Sequence, residues 1–402
     1  MARILYVSQY FVNADQAGGV RHWQHTRALV RAGHNVSVVT SYVQHKEREV
    51  PERYRGKKIV RETEDGLDIW RTYSTPGYGR DLKSRLSNYT TFAFWSAIAA
   101  ARVTKPDIVI ASSPSLPAAA AAATVATAKR ARFLLEVRDL WPDSAVAMGL
   151  VTDPRLLAVA RRLEHYCYRR ADRVVALTEG IRDGVVTSGV APGAVTLITN
   201  GIDLDVSPAT PVEVPVPDGA FVAMYAGSHG TYNSLDTVLG AAERLLGRTD
   251  IIFVLVGGGD QKPGLVERAR DRGLSNVRFV DSVPKRDIPG WLARADACIL
   301  PYQDVPLFAG ALPNKAFDYL GAGRPVIAAA PEGELSKLVR DAGCGIALRP
   351  EDPAAMADAI LTLAGDRTAA SAMGAAGRDY VRQHYDRAAL AARFVSVVES
   401  LA

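Results

Sequence analysis

Residues 221–262 read FVAMYAGSHGTYNSLDTVLGAAERLLGRTDIIFVLVGGGDQK. Two uncharged runs of six residues, 221–226 and 251–256, are each followed by a glycine-bearing turn and then by text of helical period. A strand with one wet face alternates apolar and polar residues, so a continuous apolar run predicts a strand covered on both sides, as in a parallel sheet wrapped by helices. In such sheets the ligand-binding loops follow the carboxyl ends of the strands.

The same alternation continues downstream, with strands predicted at 276–280, 297–300 and 325–329 and helices at 234–246, 263–272, 287–295 and 314–320. Upstream, 203–218 reads DLDVSPATPVEVPVPD, whose four prolines and lack of helical period suit an extended connector. Before it the pattern runs through strands at 3–8, 35–40, 68–73, 107–111, 132–137, 173–177 and 194–198. The expected architecture is α/β: two tandem Rossmann-like doubly wound domains, 1–202 and 203–384, with an interdomain cleft and a final helix, 385–402, returning to the first domain.

Composition agrees with this. The chain of 402 residues is 48% hydrophobic and 23% charged, which excludes a disordered, collagenous or disulfide-scaffold protein. Cys167, Cys298 and Cys344 lie far apart with no C-x-x-C spacing, as expected in a reducing compartment. An alternating apolar run entered within three residues argues against a signal peptide, and the apolar stretches 90–103 and 116–128 fall short of the roughly 20 residues of a membrane span. A cytoplasmic location is expected. Residues 1–200 hold 28 Lys and Arg against 18 Asp and Glu, and the remainder 20 against 25. This asymmetry favours an anionic partner for the first half, or a dispersed solvated surface. Residues 80–103, RDLKSRLSNYTTFAFWSAIAAARV, fit either an interfacial segment near lipid or a helix packed on the sheet.

Four loops carry candidate chemistry. The first has no G-x-G-x-x-G and no acidic residue ends the second strand (Val38-Val39-Thr40-Ser41), so a nicotinamide dinucleotide site is not expected; it does place Gly18 and Gly19 at a helix start, where free amides favour a phosphate. The second offers Gly227, Ser228 and His229, the histidine being either a donor or a buried structural residue. The third offers Gly257 and Lys262, a lysine able to swing toward an anion. The fourth runs through Gly310, Ala311, Leu312 and Pro313 into a helix on which Lys315 and Asp318 share a face. That pair suits a nucleotide sugar, with the ammonium on a diphosphate and the carboxylate on ribose hydroxyls. The D-x-D string Asp203-Leu-Asp205 begins the connector and reads as structural; no other Asp, Glu or His cluster has metal-ligand spacing, and no metal is expected.

The text from Pro306 to Val326 resembles the donor-binding segment of glycosyltransferase family 4, retaining enzymes of GT-B fold, with its E-x7-E pattern and following G-x-P-V-I strand. Asn200-Gly-Ile-Asp203 is similar to that family's N-G-V-D signature, and Glu136-Val-Arg-Asp-Leu-Trp-Pro142 to its H-D-L-W-P loop. The resemblance covers essentially the full chain and is strongest to bacterial aminosugar transferases of surface polysaccharide assembly. It implies a nucleoside diphosphate sugar donor, UDP favoured over GDP, an N-acetyl or deoxy aminosugar, a lipid-linked or small-molecule acceptor, no metal cofactor and no nucleic acid. It also implies a front-face mechanism, in which the leaving phosphate accepts the acceptor's proton.

The departures are specific. The first glutamate of E-x7-E falls at Gly310 and the second at Asp318, and the family's cationic phosphate pair falls at Ser228 and Asn233. Diphosphate neutralisation is therefore assigned to Lys262 and Lys315. Arg138 stands where many members have a histidine that touches the transferred sugar. Asp139 either orients it, takes a proton from the acceptor or caps the following turn. Arg138, Asp139, Lys262 and Lys315 are thus the expected catalytic residues. The expected donor set is Gly18, Gly19, Gly227, Ser228, His229, Gly257, Lys262, Val283, Gly310, Ala311, Leu312, Pro313, Lys315 and Asp318. A non-hydrolysing nucleotide-sugar epimerase, or a non-catalytic nucleotide-sugar binding module, is the alternative.

Overall fold

A computed structural model describes the chain apart from residues 13–19, 44–48, 77–81, 150, 204–211 and 215. It divides into two units, Met1–Thr199 with Ala389–Ala402, and Asn200–Ala388.

In chain order the first unit contains β1 (Arg3–Val7), α1 (Arg21–Arg31), β2 (Asn35–Ser41), β3 (Ile59–Glu64), β4 (Leu67–Thr72), α2 (Leu82–Arg102) and β5 (Ile108–Ser112). It continues with α3 (Leu116–Lys129), β6 (Arg132–Val137), α4 (Asp143–Ala147), α5 (Pro154–Arg170), β7 (Arg173–Ala176), α6 (Glu179–Thr187) and β8 (Val195–Leu197). The eight strands are ordered β3-β4-β2-β1-β5-β6-β7-β8, all parallel except β3. Strand β3 escaped the sequence reading because Arg61, Glu62 and Glu64 break up its apolar text; it is a half-exposed edge strand. It joins β4 through Asp65-Gly66, both with positive φ (50° and 78°), the backbone that a two-residue hairpin turn demands and that Asp-Gly favours. Leu5, Val7 and Phe133 pack on one face of the sheet, and Ile4, Tyr6 and Leu29 on the other. Helix α2 buries Phe92, Ala99 and Ala100 and leaves Phe94 60% exposed. No described helix is long and apolar enough to cross a membrane.

The second unit contains β9 (Phe221–Ala226), α7 (Leu235–Arg244), β10 (Ile251–Val256), α8 (Lys262–Asp271), β11 (Val277–Val280), α9 (Ile288–Leu292) and β12 (Ala297–Pro301). Then follow α10 (Asn314–Gly321), β13 (Val326–Ala329), α11 (Glu334–Asp341), β14 (Gly345–Leu348), α12 (Pro353–Gly365) and α13 (Arg367–His384), and the chain ends with α14 (Arg387–Glu399), which from Ala389 on belongs to the first unit. Its six-stranded sheet is wholly parallel in the order β11-β10-β9-β12-β13-β14. Every side chain of β9 and β10 is buried, which is why both runs are apolar throughout. The Tyr319 hydroxyl pins α10 to the end of β9, donating to the Ala226 carbonyl at 2.9 Å and accepting from its amide at 2.8 Å. Within the first unit, α14 packs through Phe394, whose ring stacks on His25 with centroids 3.9 Å apart.

Candidate functional site

In the second unit the loops after β9 and β10 interlock. The Gly227 amide donates to Val256 O (2.9 Å), His229 N–H to Gly258 O (2.9 Å) and Gln261 N–H to His229 O (3.0 Å). A Cβ on Gly257 would stand 1.9 Å from Gly227 O, and one on Gly259 2.5 Å from His229 O, with both glycines at positive φ. These glycines permit two backbones to touch, which is a local packing demand that precedes any ligand.

Lys315 lies in the first turn of α10, whose N-cap, Pro313, offers no side-chain hydrogen bond. The Ala316 amide donates to Pro313 O at 3.0 Å, which leaves those of Asn314 and Lys315 to an anion. The Lys315 ammonium reaches the Tyr225 hydroxyl (2.9 Å) and Asn233 Oδ1 (2.6 Å) and sits over the Tyr225 ring, 4.6 Å from its centroid. All these partners are uncharged, and burial pulls its pKa down to about 7. Asn233, at the position of a family cation, therefore serves by holding Lys315. The Lys315–Asp318 spacing does not make an ion pair: Asp318 pairs with Lys285 instead.

Lys262 is committed to the fold. Its ammonium donates to Gly257 O (2.9 Å), Val280 O (2.8 Å) and Asp281 Oδ1 (2.7 Å), which uses all three of its N–H groups. The arrangement differs from the expected free, swinging cation. His229 is fully buried, and among the described residues neither ring nitrogen has a hydrogen-bond partner. Burial, then the nearby Lys262 and Lys315, lower its pKa to about 4, so it is neutral at physiological pH. Ser228 contributes its carbonyl, which accepts from Tyr225 (2.6 Å) and Asn233 (2.9 Å). Gly310 ends a 3-10 turn over Pro306–Gly310, Ala311 and buried Leu312 lead to Pro313, and Val283 is half-buried against the core. Gly18 and Gly19 lie outside the described residues.

The first unit holds a second constellation, at the carboxyl ends of β1 and β6 and the first turn of α1. Fully buried Glu136 accepts from Arg21 Nε at 2.7 Å and faces His22 Nδ1 at 3.4 Å and His25 Nδ1 at 3.6 Å. These three groups hold its carboxyl far below the usual range against the burial that would raise it, Arg21 contributing most. Burial and Arg138 press the His22 pKa down to about 3. Arg138 donates to His22 Nε2 at 2.9 Å, and its amide to Ser113 Oγ at 3.0 Å. His22, not Asp139, therefore orients Arg138. Burial raises the pKa of Asp139, opposed by the nearby Ser144 and Leu140 amide, while the Ser144 hydroxyl itself donates to Leu140 O at 3.1 Å. The sequence signal for this cluster is Arg21-His22-x-x-His25, three polar residues on the buried face of α1. Among the described residues no group of three or more His, Cys, Asp or Glu is placed to hold a metal ion.

Residues 18–201 match the family described as Glycosyl transferase 4-like domain, and residues 220–366 that described as Glycosyl transferases group 1. WcaI of Escherichia coli strain K12, named for colanic acid biosynthesis, is 28% identical over 349 residues, covering 83% of this chain and 84% of WcaI. Among solved structures, sucrose-phosphate synthase from Thermosynechococcus elongatus superposes with a TM-score of 0.76 at 19% identity, covering 100% of this chain and 99% of that one. Anabaena HepE, solved with UDP and glucose, superposes with a TM-score of 0.72 at 16% identity, with 100% of both chains covered. Both family segments, the relative and the folds agree, and the chain belongs to the group 1, family 4-like glycosyltransferases of GT-B fold.

Proposed function

We propose that the second unit binds a nucleoside diphosphate sugar, UDP in preference to GDP, and that the enzyme moves an N-acetyl or deoxy aminosugar to an acceptor taken by the first unit. The observation that carries this is Lys315: a half-buried ammonium at the mouth of α10 whose partners among the described residues are uncharged. A desolvated cation without a counter-ion is costly in the free protein and gains most when a diphosphate arrives. Asp318 then exchanges Lys285 for ribose hydroxyls, and the backbone from Gly310 to Pro313 holds phosphate and sugar. HepE's complex with UDP and glucose supports the choice of uridine.

The transfer is retaining and front-face. The C1–O bond to the diphosphate breaks as the acceptor oxygen bonds C1, and the acceptor's proton passes to a leaving phosphate oxygen. The protein positions the reactants and takes up the leaving charge through Lys315 and the α10 amides, without a metal. The acceptor is lipid-linked or a small molecule, and the exposed Phe94 on α2 favours a peripheral approach to anionic membrane through residues 80–103. Calorimetric titration with UDP, GDP and their sugars tests the donor assignment: UDP should bind, and Lys315→Ala should weaken it by at least about 1.5 kcal/mol. Tighter binding of GDP, or an unchanged affinity in the variant, overturns it. The anomeric configuration of the product, read by NMR, tests retention.

A further inference from the structure

The carboxylate best placed to neutralise Arg138 is already engaged. Glu136 gives one oxygen to Arg21 and lies against His22 and His25. Asp139, the neighbour of Arg138 in sequence, acts on it electrostatically but makes no ion pair with it among the described residues. Among the described residues no carboxylate reaches the Arg138 guanidinium within ion-pair distance. Among those residues its side chain hydrogen-bonds a neutral imidazole, and its Nε is buried with no partner.

The direction of that bond settles the imidazole. Arg138 can only donate, so His22 Nε2 accepts and Nδ1 carries the proton, facing the Tyr6 hydroxyl at 2.8 Å and Glu136 at 3.4 Å. An imidazole so engaged is no general base: it holds the guanidinium without pairing its charge, which Glu136 and Asp139 offset only from beyond ion-pair distance. A guanidinium presents a planar fork matched to two oxygens of a phosphate or carboxylate. Burying such a fork without a direct ion pair is expensive, and an arriving anion relieves that cost. Its place beside the carboxyl ends of β1 and β6 is where open α/β sheets take ligands.

We infer that Arg138 is an oxyanion receptor, with His22 its positioning residue, and that the substrate taken by the first unit carries a phosphate or carboxylate group. The inference rests on the proposed function only in assigning the acceptor to the first unit.

The test uses the full chain saturated with UDP, so that the donor site is filled. Inorganic pyrophosphate, glucuronate and glucose are titrated calorimetrically. The expected result is binding of at least one anion and not of glucose, weakened at least about tenfold in Arg138→Gln while UDP affinity stays unchanged. Pyrophosphate alone points to a diphosphate-linked acceptor and glucuronate alone to an acidic sugar. Should Arg138→Gln unfold, Arg138→Lys keeps the charge, loses the fork and is held to the same anion loss. The inference is overturned if neither anion binds the UDP-saturated protein, or if the Arg138 variant binds it as the parent does. If UDP itself does not bind, the donor reading falls separately. The anions are then titrated into Lys315→Ala protein, where an Arg138-dependent event supports the receptor and its absence refutes it.

Discussion

Donor binding should take up a proton. The Lys315 ammonium is held by a phenol and an amide oxygen, with no carboxylate paired to it among the described residues, and burial brings its pKa down to about 7. A bound diphosphate restores the counter-charge and raises that pKa, so the binding contribution is full below pH 7 and fades as pH rises above it. At pH 8 a group of pKa about 7 is ~90% neutral, so binding UDP should draw ~0.9 proton from the buffer, falling to ~0.1 at pH 6. Above pH 7 the affinity should drop about tenfold per pH unit, or ~1.4 kcal/mol. Two of the three ammonium N–H groups are occupied, which leaves one for the phosphate at once. One charge-assisted bond of ~1.5–3 kcal/mol makes Lys315→Ala bind UDP roughly 10- to 150-fold more weakly. The assay is calorimetry at pH 8 in buffers of different ionisation enthalpy. A heat independent of buffer, or Lys315→Ala protein with the parent's proton uptake, refutes the reasoning.

Acid should weaken the first unit through its buried histidines. With His22 lowered from 6.5 to about 3, the unfolded chain binds the proton that the fold refuses, so stability present above pH 6.5 is lost as pH falls, by about 2 kcal/mol at pH 5 from His22 alone. Urea unfolding at pH 7 and pH 5 checks this, and an equal loss in His22→Gln protein contradicts it. Gly257→Ala, whose methyl would collide with Gly227 O, should abolish UDP binding and lower the melting temperature, whereas Gly247→Ala, with open space around it, should not. Replacing Lys83 and Arg85 by Ser should reduce sedimentation with anionic vesicles more than donor hydrolysis; equal sedimentation removes the membrane contact.

The parallel sheets were legible because burial on both faces leaves no polar residue in β9 and β10. Edge strands carry no such mark. β3 is half-charged, and its one cue, Asp65-Gly66, is a turn signal that matters only once the flanking text is admitted as strands. In the site, helical spacing put Lys315 and Asp318 on one helix, yet spacing cannot reveal partners from other elements. Lys285, distant in sequence, claims the carboxylate, while Tyr225 and Asn233 claim the ammonium. Lys262 read as a mobile cation because its three acceptors, two of them backbone carbonyls, exist only after the sheet has formed. The Glu136 cluster was missed for the complementary reason: its members come from β6 and α1, more than a hundred residues apart, and are joined only by burial.

The most direct measurement is a crystal structure of the full chain soaked with UDP or a UDP-sugar. The account predicts diphosphate oxygens within hydrogen-bond distance of Lys315 Nζ and the first amides of α10, with Asp318 released from Lys285 onto the ribose. A diphosphate bound elsewhere, with Lys315 still resting on Tyr225 and Asn233, contradicts it.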